Sequence, residues 1–171
     1  MIKGLHHNAY RCRDSEETRH FYEDFLGLPF AHALNIRTTM TGRHTDVLHT
    51  FFRLDDGSHL AFFEAPDKPF EFKPQDDFDL HIALEVEPDV LEAMFAKGKA
   101  EGREVRGISN HSFIRSIYFR DPNGYVIELT AKVPGHESEM DPHKNHARDI
   151  LKDWQTAKNT SAQNKVAVPV S

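Results

Sequence analysis

One cysteine, Cys12, stands in a chain of 171 residues. A single thiol excludes an internal disulfide and a cysteine-built zinc cluster, and it fits a reducing, cytoplasmic setting. No run approaches the roughly 20 apolar residues of a membrane span. The N-terminal "MIKGLHHNAYRCRD" also lacks the apolar core of a signal peptide. Positive charge is in deficit, with 21 Lys and Arg against 27 Asp and Glu and a net charge of −6. A broad electrostatic footprint for nucleic acid is therefore not expected. What the chain has in abundance is histidine, 12 in all. Imidazole both transfers protons near neutral pH and ligates metals, so the positions of these residues carry the argument.

The order of elements repeats. "GLHHNAYRC" reads as a strand. Asp14 and Glu17 open a helix with capping-box spacing, and Phe21, Tyr22, Phe25 and Leu26 line one side of it before Gly27 stops it. "LPFAHALNIR", "TDVLHTFFRL" and "SHLAFFEA" read as strands, the last two joined by the turn Asp55-Asp56-Gly57. After the aperiodic "PDKPFEFKPQDDF", the same order returns: strand "DLHIALEVE", helix "PDVLEAMFAKGKAEG", and strands "REVRGI", "SFIRSIYFR" and "GYVIELTAK". The chain divides into a first βαβββ module over residues 1–66, a linker over 67–78, a second module over 79–133 and a helical tail over 134–171. The fold class is α+β, two paired modules forming a curved sheet, plus a C-terminal helix. Two similar units most simply pair about a pseudo-twofold axis. In the tail, Ala147, Ile150, Leu151 and Trp154 fall at helical spacing and predict packing of Trp154 on the body, with residues 159–171 disordered.

Glu128 is an acid inside the apolar run Tyr125–Leu129. Alternation puts it on the face of Val126, against Ile127 and Leu129 on the other. A carboxylate turned into a cavity must be paired or bind a cation, and Arg115 is one candidate partner. Laying Gly57 on Gly124 places Ala61 at the position of Glu128 and Phe51 at that of Tyr118, while His7 and His81 begin matching strands. A pseudo-twofold would bring these two histidines together beside Glu128. Two imidazoles and one carboxylate hold a divalent metal and leave coordination positions open. Solvated roles are expected for His20, His32, His136, His143 and His146.

With "HHNAYRCRDSEETRHFYEDFLGL", "DLHIALEV" and "SIYFRDPNGYVIEL", the sequence resembles the vicinal oxygen chelate superfamily over residues 4–132. The resemblance implies paired βαβββ modules around a divalent metal, held by His7, His81 and Glu128. Ala61 stands where glyoxalase I-like members carry a fourth ligand. The remaining set is that of iron-dependent extradiol dioxygenases and of manganese-dependent fosfomycin thiol transferases. "NHSFIRSIYF" is similar to the extradiol pattern of a histidine ahead of a strand tyrosine, which assigns catalytic roles to His111 and Tyr118, with His59 as a further proton-transfer residue. Phe51, Phe63 and Phe113, with His49, are expected to line the substrate slot. The implied function is Fe(II)-dependent ring cleavage of a small aromatic vicinal diol with O2, with Mn(II) or another divalent ion as the alternative metal. The alternative activity is a thiol transferase or isomerase of the fosfomycin-resistance or glyoxalase type, for which Arg106, Arg115 and Arg120 are the cations at hand. A non-catalytic binder of the bleomycin-sequestering type would lack the metal set. Neither nucleic acid nor membrane is an expected partner; a homodimer, with modules exchanged between chains, is left open.

Overall fold

The computed structural model describes the backbone of residues 1–166 and the side-chain surroundings of residues 1–158. The first module starts with a strand of two residues, β1 (Tyr10–Arg11), much shorter than the sequence pattern suggests. Asn8 explains the interruption. Its backbone N–H donates to His59 O, but its side-chain oxygen accepts from Ala61 N, taking a donor that a continuous ladder would use. Only a single bridge, His7 to His59, precedes it.

Helix α1 (Ser15–Arg19) is capped by Asp14, whose side chain accepts from Glu17 N. The box is not reciprocal, because the Glu17 carboxylate turns to Arg13 instead. The helix widens into a π-helical turn over His20–Phe25, which buries Phe21, Tyr22 and Phe25 on one side. Strands β2 (Phe30–Thr38), β3 (His44–Arg53) and β4 (His59–Glu64) complete a sheet of order β1-β4-β3-β2.

The second module repeats the plan with β5 (His81–Glu85), α2 (Pro88–Ala100), β6 (Val105–Asn110), β7 (Ile114–Arg120) and β8 (Val126–Lys132), in the order β5-β8-β7-β6. Its register reproduces the first. Phe51 pairs with Ala61 as Tyr118 pairs with Glu128, and His7 meets His59 as His81 meets Val126. The equivalences expected from the two glycine turns therefore hold at backbone level. Gly124 is held at φ 96°, and a Cβ there would collide with the Lys73 backbone. The linker thus runs hard against this turn, and Lys73 N donates to Asn123 O at 2.8 Å.

The two four-stranded sheets remain separate and open. One face of each, with the helices, forms a common core. Tyr22, Phe25, Phe52 and Phe62 of the first module join Leu91, Ile117, Phe119 and Ile127 of the second. Phe25 meets Phe119 edge-on at 5.1 Å. Polar contacts lock the junction: Tyr22 hydroxyl to Asp121, Arg13 N to Asn123 Oδ1, and Tyr125 hydroxyl to Arg11 O. Within one chain the modules therefore join through their helix-covered sides. The expected meeting of His7 and His81 beside Glu128 therefore does not occur within one chain. Buried aromatics and the turn at Asp121 decide the docking.

In the tail, α3 (His136–Glu139) is followed by α4 (Ala147–Val166). The helix exists as expected but runs on through most of the segment expected to be disordered; residues 167–171 lie outside the described residues. Trp154 does not pack on the body: it is 66% exposed, and Ile150 and Leu151 stand exposed beside it. Among the described residues, no helix is long and apolar enough to cross a membrane.

Candidate metal half-sites

On the second sheet, neighbouring strands set Arg106 (β6), Tyr118 (β7), Glu128 (β8) and Ala83 (β5) in one cross-strand row. His81, two residues before Ala83, shares this face. Glu128 is only 4% exposed, yet its carboxylate is well supplied. Its Oε2 lies 3.0 Å from His81 Nε2, and its Oε1 accepts from the Tyr118 hydroxyl at 3.3 Å. The phenol oxygen is 2.9 Å from His111 Nε2. Burial, and then the Glu128 charge, push the Tyr118 hydroxyl pKa upward, so the phenol keeps its proton. His81 is oriented from behind: its Nδ1–H donates to Asp77 O at 2.7 Å, which turns Nε2 to Glu128. A ring nitrogen bonded to a carbonyl, with the other facing a carboxylate, suits a metal ligand.

The matching face of the first sheet is a histidine cup. His7 has its ring 6.0 Å from His49 and 5.5 Å from Phe51, and its Nδ1 lies 2.7 Å from His6 Nδ1. Burial lowers the His7 pKa, and the neighbouring imidazoles His6, His49 and His59 lower it further. The lowered pKa favours the neutral ring, the form that binds metal. His49 is fixed by Nδ1–H donation to Phe62 O and by stacking on Phe63 at 3.7 Å. His59 Nδ1 is buried and has no hydrogen-bond partner.

The structure thus joins His81, Glu128, Tyr118 and His111 in one place, and His7, His49, His59, Phe51 and Phe63 in another. His7 does not reach the His81–Glu128 pair within the chain. Among the described residues, no three His, Cys, Asp or Glu side chains come together as a metal cage. The reason is the docking already described, because both ligand-bearing faces look away from the shared core. Phe113 has its ring 6.0 Å from that of His136. Arg115 does not neutralise Glu128, since it is paired with Glu92. His20 pairs with Asp24, and His146 with Asp149, as solvated residues do.

The donors fit a divalent ion in part. One nitrogen and one carboxylate converge, and a third donor must come from outside the pair. Sequence reasoning missed Asp77 beside this face and named Arg106 only as a cation for the alternative activity. The run "DDFDL" directly ahead of His81 was the available signal, hidden in a segment without periodicity.

A model of the Glyoxalase/Bleomycin resistance protein/Dioxygenase superfamily matches residues 4–129. No curated protein matches the chain in sequence. Among solved structures, the chain is similar to a glyoxalase/dioxygenase from Nostoc punctiforme, with 24% identity, TM-score 0.58, and 77% of this chain and 92% of that one covered. A glyoxylase/bleomycin resistance protein/dioxygenase domain from Frankia sp. EAN1pec aligns at TM-score 0.63 and 16% identity, over 78% and 100% of the two chains. The fosfomycin resistance protein FosX from Listeria monocytogenes, complexed with Mn(II) and a sulfate ion, aligns at TM-score 0.57 and 23% identity, over 80% and 98%. At these identities the likeness is one of fold.

Proposed function

Because the chain belongs to the Glyoxalase/Bleomycin resistance protein/Dioxygenase superfamily, we propose that it is a divalent-metal enzyme whose centre is completed between two copies, and that it cleaves the ring of a small aromatic vicinal diol with O2. The observation that carries this reading is the His81–Glu128 pair, 3.0 Å apart, with the Tyr118–His111 chain bonded to its carboxylate. His81 and Glu128 of one copy hold the ion, and His7 of a second copy, with His59 beside it, supplies the third ligand. By two-fold symmetry the same contact forms twice. Apolar residues stand ready next to both half-sites: Leu5 precedes His6 and His7, and Phe78, 99% exposed, precedes His81. Their exposure in a lone chain favours a covering partner.

Bound there, Fe(II) would acidify the diol and supply the redox chemistry that O2 requires. The chain's own residues handle protons and charge. The Tyr118 hydroxyl has a single hydrogen and two neighbours, Glu128 Oε1 and His111 Nε2. When it turns from the carboxylate to an unprotonated His111 Nε2, the phenol oxygen can take the proton given up at the diol while passing its own to that nitrogen. Both atoms of O2 enter the ring-opened product, and the proton is returned by the same path. Phe51 and Phe63 give the first-module face an apolar wall.

The cations favour this activity over the fosfomycin-type one. Arg106 is bound to both oxygens of Asp77, Arg115 to Glu92, and Arg120 to Gln75 O and Gly124 O. None is left free to clamp a phosphonate. Ala61, wholly buried opposite Phe51, offers no fourth ligand.

Protein loaded with Fe(II) without oxygen and then exposed to air with a panel of catechols is expected to give yellow ring-opened products. Tyr118→Phe is expected to retain iron and slow turnover by roughly 100-fold, the scale of losing one charge-stabilising donor. Silence across the panel, with turnover of a thiol and an epoxide, would move the assignment to the alternative.

A further inference from the structure

Resting on that metal reading, we infer that Asp77 is a positioning residue for the centre: paired with Arg106, it holds the linker so that His81 presents Nε2 to the metal. Asp77 makes two kinds of contact, one through its backbone and one through its side chain. Its backbone oxygen accepts from His81 Nδ1–H at 2.7 Å. Its carboxylate takes both oxygens to Arg106 Nη2, each at 2.7 Å. The Arg106 guanidinium lies 5.3 Å from the centre of the Tyr118 ring, the phenol that hydrogen-bonds Glu128. The linker end is thus tied to β6, and through it to the row Arg106–Tyr118–Glu128.

Local geometry shows why a tie is needed. Residues 76–80 form a turn organised by Asp76, whose side chain accepts from Phe78 N and whose carbonyl accepts from Asp79 N and Leu80 N. Phe78 at its tip has no cover. Such a turn would swing freely on β5, and His81 is the first residue of that strand. Without the Arg106 anchor the Asp77 carbonyl would leave His81 Nδ1, and the ring could rotate away from Glu128. Arg106 is half exposed, and exposed ion pairs contribute little to global stability. The effect of breaking this one should therefore appear in the centre and not in the fold. Outer partners of this kind typically change metal affinity by 10–100-fold.

The test compares Mn(II) binding, thermal unfolding and the NMR signal of the His81 ring N–H in wild type, Asp77→Ala, Arg106→Ala and the double variant. Expected are Mn(II) affinities about 10-fold or more weaker in each single variant, no further loss in the double variant, and loss of the hydrogen-bonded Nδ1–H signal. Melting temperatures should change by no more than about 2 °C. The exchange Asp77→Arg with Arg106→Asp should recover part of the affinity, which a residue of purely local structural value would not do. Unchanged affinity and an unchanged ring signal in Asp77→Ala would overturn the inference. If wild type itself bound no Mn(II), the metal reading would fail, while the ring signal measured without metal would still decide whether Asp77 positions His81.

Discussion

Glu128→Gln is expected to strip the protein of retained metal and of turnover while leaving the fold in place. The glutamine matches glutamate in size, so the buried position stays filled, and its carbonyl can still accept from the Tyr118 hydroxyl. What disappears is the negative charge opposite His81 Nε2. The carboxylate lies 3.0 Å from that nitrogen and Glu128 itself is only 4% exposed, so its charge is worth more there than in water. Loss of an outer partner typically weakens metal binding 10–100-fold. Loss of the ligating charge should exceed this, taking affinity down by at least about 100-fold. The measurement is metal content after gel filtration, set beside circular dichroism of the same sample. A variant that retains metal at the wild-type ratio would remove Glu128 from the ligand set.

Asp121→Ala is expected to be the most destabilising single change on the module junction. The carboxylate is 3% exposed and accepts from Asn123 N, Tyr125 N, Asn123 Nδ2 and the Tyr22 hydroxyl, at 2.8 to 3.1 Å. Burial pushes its pKa up, while these donors pull in the opposite direction by stabilising the anion. Truncation leaves each donor buried and unmet, at about 1–3 kcal/mol apiece. The sum is on the order of 4 kcal/mol or more, a large part of the 5–15 kcal/mol that holds a typical domain together. A fall in melting temperature on the order of 10 °C follows for a chain of this size. Tyr22→Phe, which removes one donor and keeps the ring, should cost far less. Because Asn123 also bonds Arg13 N and Thr18 Oγ1, the damage should spread to the contact between modules. A Tm shift for Asp121→Ala no larger than that for Tyr22→Phe would show that the junction does not depend on this network.

Much of the site was legible in the chain because strand geometry is strict. The two glycine turns fix register, and register fixes which side chains share a face. Phe51 could thus be matched with Tyr118 and Ala61 with Glu128, and the cross-strand pairs Phe51–Ala61 and Tyr118–Glu128 follow that match. The docking of modules was not legible. Alternation says which face a residue occupies but not what that face meets. Here the choice was made by Tyr22, Phe25 and Phe119 packing on one side and by the buried Asp121 turn, whose acid reads in sequence as ordinary turn chemistry. The tail failed for a related reason. Spacing of Ile150, Leu151 and Trp154 identifies an amphipathic helix, but nothing in that spacing names its cover. Asp77 escaped because an ion pair formed from an aperiodic linker leaves no periodic trace.

The central claim is that one ion is held by His7 of one copy and by His81 and Glu128 of another. It is tested by mixing His7→Ala chains with His81→Ala chains under conditions that exchange subunits. Each variant alone should bind no metal. In a mixed two-fold dimer, one site loses both residues and the other keeps all three, so random mixing should restore about one quarter of the wild-type metal and activity. If the mixture stays as empty as its parents while exchange is demonstrated, the shared centre is contradicted.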